Sequence, residues 1–159
     1  MMKKILKYFL LLALVALVVI QFIRPDKNNS GYESVVAFEA ETNPSQEVKE
    51  ILKTNCYDCH SGQTQYPWYA EIAPVSYWLA DHIKHGKGEF NASKWENYSV
   101  KKKDHKLEEL IEMVEKGEMP LDSYTWLHGD LSEEDVKTLL QWATLARLKY
   151  ANELKVSSE

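Results

Sequence analysis

At 159 residues the chain has room for one ordinary domain and an extension, and its composition, 45% hydrophobic and 27% charged with six Gly and five Pro, excludes disorder and low-complexity fibre. The formal net charge of −5 is uneven: Lys3, Lys4, Lys7 and Arg24 are the only charges in the first 24 residues, which leaves 15 basic against 24 acidic residues, about −9, on residues 25–159. A body that acidic is repelled by phosphate backbones, so nucleic acid is excluded as a partner and a protein with a basic patch is favoured.

Lys3, Lys4 and Lys7 precede an apolar run from Tyr8 to Ile23, broken only by Gln21. Counted from Ile5 to Ile23 it has 19 residues, about 28 Å of helix against a hydrocarbon core of roughly 30 Å. Residues 1–24 therefore read as a single transmembrane helix whose N-terminus stays in the cytoplasm. Gln-Phe-Ile-Arg-Pro holds no A-x-A cleavage site, so an uncleaved anchor is expected, with a cleaved export signal as the alternative. Residues 25–44 read as a linker with one short extended piece, Ser34 to Phe38. Ser45 is placed to cap a helix Gln46–Asn55, whose Val48, Ile51 and Leu52 share a face. An irregular aromatic stretch, Gln63 to Ala73, follows, and Pro74 can open a helix that runs to His85 and stops at Gly86. Residues 86–103 read as a long loop. Asp104 is the expected cap of a helix striped by Leu107, Leu110, Ile111 and Val114 that ends at Gly117. After a loop from Glu118 to Asp130, Ser132-Glu133-Glu134-Asp135 resembles a capping box. The last helix, with Val136, Leu139, Leu140, Ala143 and Ala146 facing inward, runs to about Tyr150 and leaves a tail, 151–159. The expectation is an all-α domain of four helices over residues 45–150. Its core is thin for so many aromatics, as if a large flat cofactor filled the middle.

The chemistry lies in Cys56-Tyr57-Asp58-Cys59-His60, which uses both cysteines of the chain. C-x-x-C-H places two thiols to add across the vinyl groups of a haem as thioethers, and directs the next residue, His60, at the iron as a neutral imidazole. A plain disulfide or a thioredoxin-type pair is the duller reading, but no βαβ pattern surrounds the motif. A zinc site needs four ligands, and Cys56, Cys59 and His60 would require one more His.

The layout is similar to class I cytochromes c: a helix leading into C-x-x-C-H, loops and short helices, a Met in a loop, and a long C-terminal helix. More closely, the run from Cys56 through Trp68, Ala73-Pro74-Val75-Ser76 and on to Trp142 looks like the small membrane-anchored bacterial proteins grouped as a haem-binding domain family. The resemblance covers residues 45–150. It implies a cytochrome c-like helical domain around one covalent haem c, with Met119 of Gly117-Glu118-Met119-Pro120 as the sixth ligand. His128, in the same loop, is the alternative ligand. Met113 falls on a helix stripe and reads as core. His82, His85 and His105 read as surface or capping residues. Tyr66, Trp68, Tyr69, Tyr77 and Trp78 read as core aromatics, with haem packing by Trp68 and Trp78 as the second reading. Lys101–Lys103 reads as a solvated loop, or as a site for haem propionates or anionic lipid.

Together these expectations describe a one-electron carrier rather than an enzyme, held at the periplasmic face of a bacterial inner membrane and serving a redox partner protein. A soluble periplasmic form follows if the signal is cleaved. A haem-based gas sensor is the rival class, and a peroxidase using His128 as general base is a further one.

Overall fold

Eight α-helices and three short 3₁₀ turns follow one another through residues 2–156, the part of the chain that the computed structural model describes. Among those residues there is no strand; Asn29 and Gln63 form an isolated bridge. The fold is all-α as expected, but the body after the first helix holds seven helices rather than four.

None of the residues of α1 (Met2–Ile20) is buried. Here the sequence reading needs correction. The run expected to continue as helix to Ile23 turns at Gln21, and Lys3, Lys4 and Lys7 fall in the first turns. Ile5 to Ile20 is about 24 Å of helix, short of a hydrocarbon core of roughly 30 Å. Among the described residues, no helix is long and apolar enough to cross a membrane.

The linker expectation is overturned too. Residues Tyr32–Val35 form a 3₁₀ turn and α2 spans Val36–Thr42, where an extended piece was expected. Val35 and Phe38 are fully buried. Phe38 is the hub of the aromatic core, with Tyr57, Phe90, Trp95 and Trp142 all meeting its ring edge-to-face at centroid distances of 4.9 to 6.5 Å. The polar ends of these rings are satisfied: Trp142 Nε1 donates to the Thr42 carbonyl at 3.0 Å and Trp95 Nε1 to the Tyr150 hydroxyl at 3.2 Å.

Helix α3 (Gln46–Asn55) has the expected bounds, and the Ser45 hydroxyl accepts from Val48 N. It leads into α4 (Tyr57–His60), a single turn carrying the cysteine motif. A 3₁₀ turn, Trp68–Glu71, precedes α5 (Val75–Glu89), which passes through Gly86 instead of stopping there. The expected loop 86–103 is largely helical. Ala92–Asn97 is a kinked 3₁₀ segment, and α6 (Val100–Glu115) starts four residues before Asp104, capped by Ser99. Lys103 is buried, and its ammonium meets both oxygens of Glu41 at 2.8 Å, so it is a structural ion pair rather than part of a solvated loop. The loop 118–130 contains α7 (Asp122–His128). The capping box at Ser132 is formed: Asp135 N donates to its hydroxyl and Ser132 N donates back to the Asp135 carboxylate, both at 3.1 Å. Helix α8 (Glu133–Val156) takes in most of the expected tail; residues 157–159 lie outside the described residues.

Helices α6 and α8 pack antiparallel, Arg147 bridging Asp104 and Glu108 while Val114 and Leu139 meet at the opposite end of the pair. The end marked by Val114 and Leu139 is where the core opens into a cavity.

Candidate haem site

Cys56 accepts hydrogen bonds from the amides of Cys59 (3.2 Å) and His60 (2.9 Å), so the motif is wound into a helical turn. Positions i, i+3 and i+4 of such a turn share one face, and the spacing thereby delivers two thiols and an imidazole to the same wall. That wall bounds a cavity of about 370 Å³. Val114, Leu131 and Leu139 supply its apolar floor, and Met119, Pro120 and Leu121 line it from the loop after α6. Tyr124, His82 and His85 also line it.

His60 is fixed by backbone. Its Nδ1 lies 3.0 Å from the Gly86 carbonyl and 3.1 Å from the Phe90 carbonyl, both at the C-terminal end of α5. A ring nitrogen facing two acceptors must carry the proton, which leaves the lone pair on Nε2. Burial lowers the imidazole's pKa, opposed by those two carbonyls and by Glu89, so the ring is held neutral and ready to ligate. Gly86 is what allows α5 to come this close: a Cβ built there would stand 2.8 Å from the Cys59 carbonyl oxygen and 3.1 Å from its Cβ.

The two thiols are free, and burial pushes Cys56 up to about 12 and Cys59 up to about 11. Thiol–disulfide exchange needs a thiolate, which a thioredoxin-type pair secures with a depressed pKa; this pair has the opposite bias. Among the described residues no group of three or more His, Cys, Asp and Glu is placed to hold a metal ion, so the zinc reading lacks its ligand set. The residues present fit a haem: an apolar slot, two free thiols three residues apart on its wall, and an imidazole whose free nitrogen is the one not used by the protein.

Other candidates fall in different places. Met119 lines the same cavity as His60, and its peptide bond to Pro120 is cis. Met113 sits half-buried on α6, away from the cavity lining. His128 does not line the cavity. Its Nε2 is 2.8 Å from the Tyr69 hydroxyl, and its ring stacks on Tyr124 at 4.1 Å beside an adjoining depression of about 50 Å³. Trp68 is 76% exposed and belongs neither to the core nor to the haem wall. Trp78 is half exposed, meets the His82 ring at a tilt of 51° and borders the same small depression rather than the main cavity.

The roles of three residues at the site left no trace in the sequence reading. Gly86 and Phe90 act through carbonyls, which every residue carries, so no side-chain signature points to them. Asp58 is the third: it is buried, takes hydrogen bonds from Gln65 N (2.7 Å) and the Tyr124 hydroxyl (2.9 Å), and burial raises its pKa against those two bonds. It thus ties the motif turn to α7.

The fold and this wall define a haem-binding domain. The haem-binding domain family model matches residues 15–145, most of the chain, and the chain belongs to that family. The match begins inside α1 and includes residues 25–44, in keeping with the burial of Val35 and Phe38. No curated protein matches the chain, and no solved structure does.

Proposed function

We propose that this haem-binding protein is a single-haem c-type cytochrome that passes electrons one at a time to or from a partner protein at the periplasmic face of a bacterial inner membrane. The observation that carries the reading is the His60 imidazole, pinned through Nδ1 by two carbonyls on a wall that also offers two free thiols at i and i+3. One haem c, when bound, supplies an iron that cycles between Fe(III) and Fe(II). Cys56 and Cys59 would hold it as thioethers, and His60 would ligate its iron. Met119, which lines the same cavity, would supply a second ligand, a soft neutral sulfur that favours Fe(II). The body is acidic, which suits a partner with a basic docking face. Helix α1, apolar after Lys7 and unburied, is the surface by which the protein would attach to lipid.

A peroxidase would need a general base over the iron, and His128 is engaged with Tyr69 outside the cavity. The peroxidase reading that rests on His128 therefore loses its base. The test is expression with a cytochrome c maturation system. Haem should survive acid-acetone extraction of the denatured chain and be released from a Cys56→Ala, Cys59→Ala double variant. Haem that washes out of the unaltered protein refutes covalent attachment. The oxidised protein should show the weak long-wavelength charge-transfer band of methionine ligation, and the reduced protein should take up carbon monoxide slowly. Rapid, tight uptake would replace the carrier with a gas sensor.

A further inference from the structure

The sequence reading hung the body on a flexible linker, and the structure removes the slack. One residue past the end of α1, the Gln21 side chain makes a two-point clamp on the backbone of Ala73, accepting from its amide at 2.9 Å and donating to its carbonyl at 3.1 Å. The Ile23 carbonyl then accepts from the Tyr77 hydroxyl at 2.5 Å. Arg24 and Lys27 both pair with Glu71, at 2.9 and 2.5 Å. A Gly/Ser-type tether of 20 residues would let the body wander by roughly 25 Å. Here the apolar helix is bonded to the body almost where it ends.

Around that clamp lies apolar surface with no cover. Phe22 is 84% exposed, Ile23 61% and Ile72 45%, and Ile72 adjoins the clamped Ala73. Trp68 opens the 3₁₀ turn that Glu71 closes, and residues three apart in such a turn lie on one face, so Trp68 shares the face of the residue that holds Arg24 and Lys27. Tryptophan has an apolar body and a polar N–H, the combination that prefers the boundary between headgroups and acyl chains.

We propose that Phe22, Ile23, Trp68 and Ile72 form a collar that seats the haem domain directly on the lipid surface, at the depth of the headgroup–acyl boundary. The proposal rests on lipid attachment by α1, as given above. It commits the body to one stance, with the 3₁₀ turn Trp68–Glu71 and the start of α5 facing lipid. The occupant follows from continuity: Phe22 and Ile23 carry the exposed apolar surface of α1 up to Ile72 beside the clamped Ala73, Gln21 is used up in the clamp, and the neighbouring charges of Arg24, Lys27 and Glu71 are paired with one another.

The experiment uses the full chain, haem-loaded, in vesicles of phosphatidylethanolamine and phosphatidylglycerol. A photoreactive benzophenone side chain is placed at position 68, 72 or, as the control on the exposed face of α6, 115. These positions are exposed, so the probe does not disturb the core. After flotation and illumination, lipid adducts read by mass spectrometry should form at 68 and 72 several-fold more than at 115. Flotation with adducts equally rare at all three positions overturns the collar and leaves lipid attachment standing. Crosslinks from 68 and 72 to a second copy of the chain overturn it in favour of a protein contact. Failure of the unaltered protein to float overturns both readings.

Discussion

Replacing Gly86 and Gly88 by alanine, one at a time, measures how tightly α5 is pressed against the cysteine turn. Both glycines lie inside α5, and in an open helix Gly→Ala gains up to about 1 kcal/mol. Nothing stands within 4 Å of a Cβ at Gly88, so Gly88→Ala should stabilise the protein by about 0.5–1 kcal/mol. At Gly86 the same gain meets a Cβ only 2.8 Å from the Cys59 carbonyl oxygen, a backbone atom that cannot swing aside. Overpacking of this kind costs about 1–3 kcal/mol, so Gly86→Ala should come out between neutral and about 2 kcal/mol destabilised. The difference between the two variants is the sharper quantity, about 1–3 kcal/mol by urea unfolding of the haem-loaded protein. Because the Gly86 carbonyl also accepts the His60 proton, its displacement should shift the Soret and iron–imidazole vibrational bands, while Gly88→Ala leaves them in place. Equal stabilisation by both substitutions, with unchanged spectra, would refute the close approach.

Met119→Ala should remove the long-wavelength band and lower the reduction potential while the haem stays covalent, whereas Met113→Ala should leave the spectrum alone and cost about 1–3 kcal/mol as a partly filled cavity. Trp142→Phe should destabilise by about 1–3 kcal/mol, because it leaves the buried Thr42 carbonyl without its donor, and calorimetry or urea unfolding reads the loss. In the haem-free protein, burial pushes the two thiols up to about 12 and about 11, so the thiolate is scarce at pH 8. Alkylation there should be roughly a hundredfold slower than for an exposed cysteine and should rise about tenfold per pH unit up to the folded pKa. Alkylation as fast as in urea would show that the wall is not closed.

What was legible in the chain was local. Ser45 with Val48, Ile51 and Leu52 gave α3 its bounds, because a cap and one apolar stripe suffice to define an isolated helix. The Ser132–Asp135 box was legible for the same reason. The i, i+3, i+4 spacing of Cys56, Cys59 and His60 pointed to the wall on which the structure gathers two thiols and an imidazole. What was missed is tertiary. Residues 32–42 and 92–97 are too short and mixed to show a period, and they are structured because Phe38 and Trp95 are drawn into one aromatic core. Gly86 was read as a helix stop, since glycine often ends helices, yet the helix continues and the missing side chain makes room for Cys59. Trp68 was read as core because aromatics usually bury; its neighbourhood is the clamp to α1, where an exposed ring has another use.

The hydrogen bonds of His60 have one more consequence. Gly86 and Phe90 belong to the last turn and cap of α5, the negative end of that helix's dipole. An imidazole whose outer N–H leans on such an end is partly relieved of its proton and gives more electron density through Nε2, as a histidine does when a carboxylate stands behind it. On the proposed function, that push would steady the ferric state of a bound haem, while the thioether sulfur of Met119 would pull toward the ferrous one. The affinity of such a carrier for an electron would then be a balance of two opposed devices, one drawn from a side chain in a loop and the other from nothing but the direction of a helix.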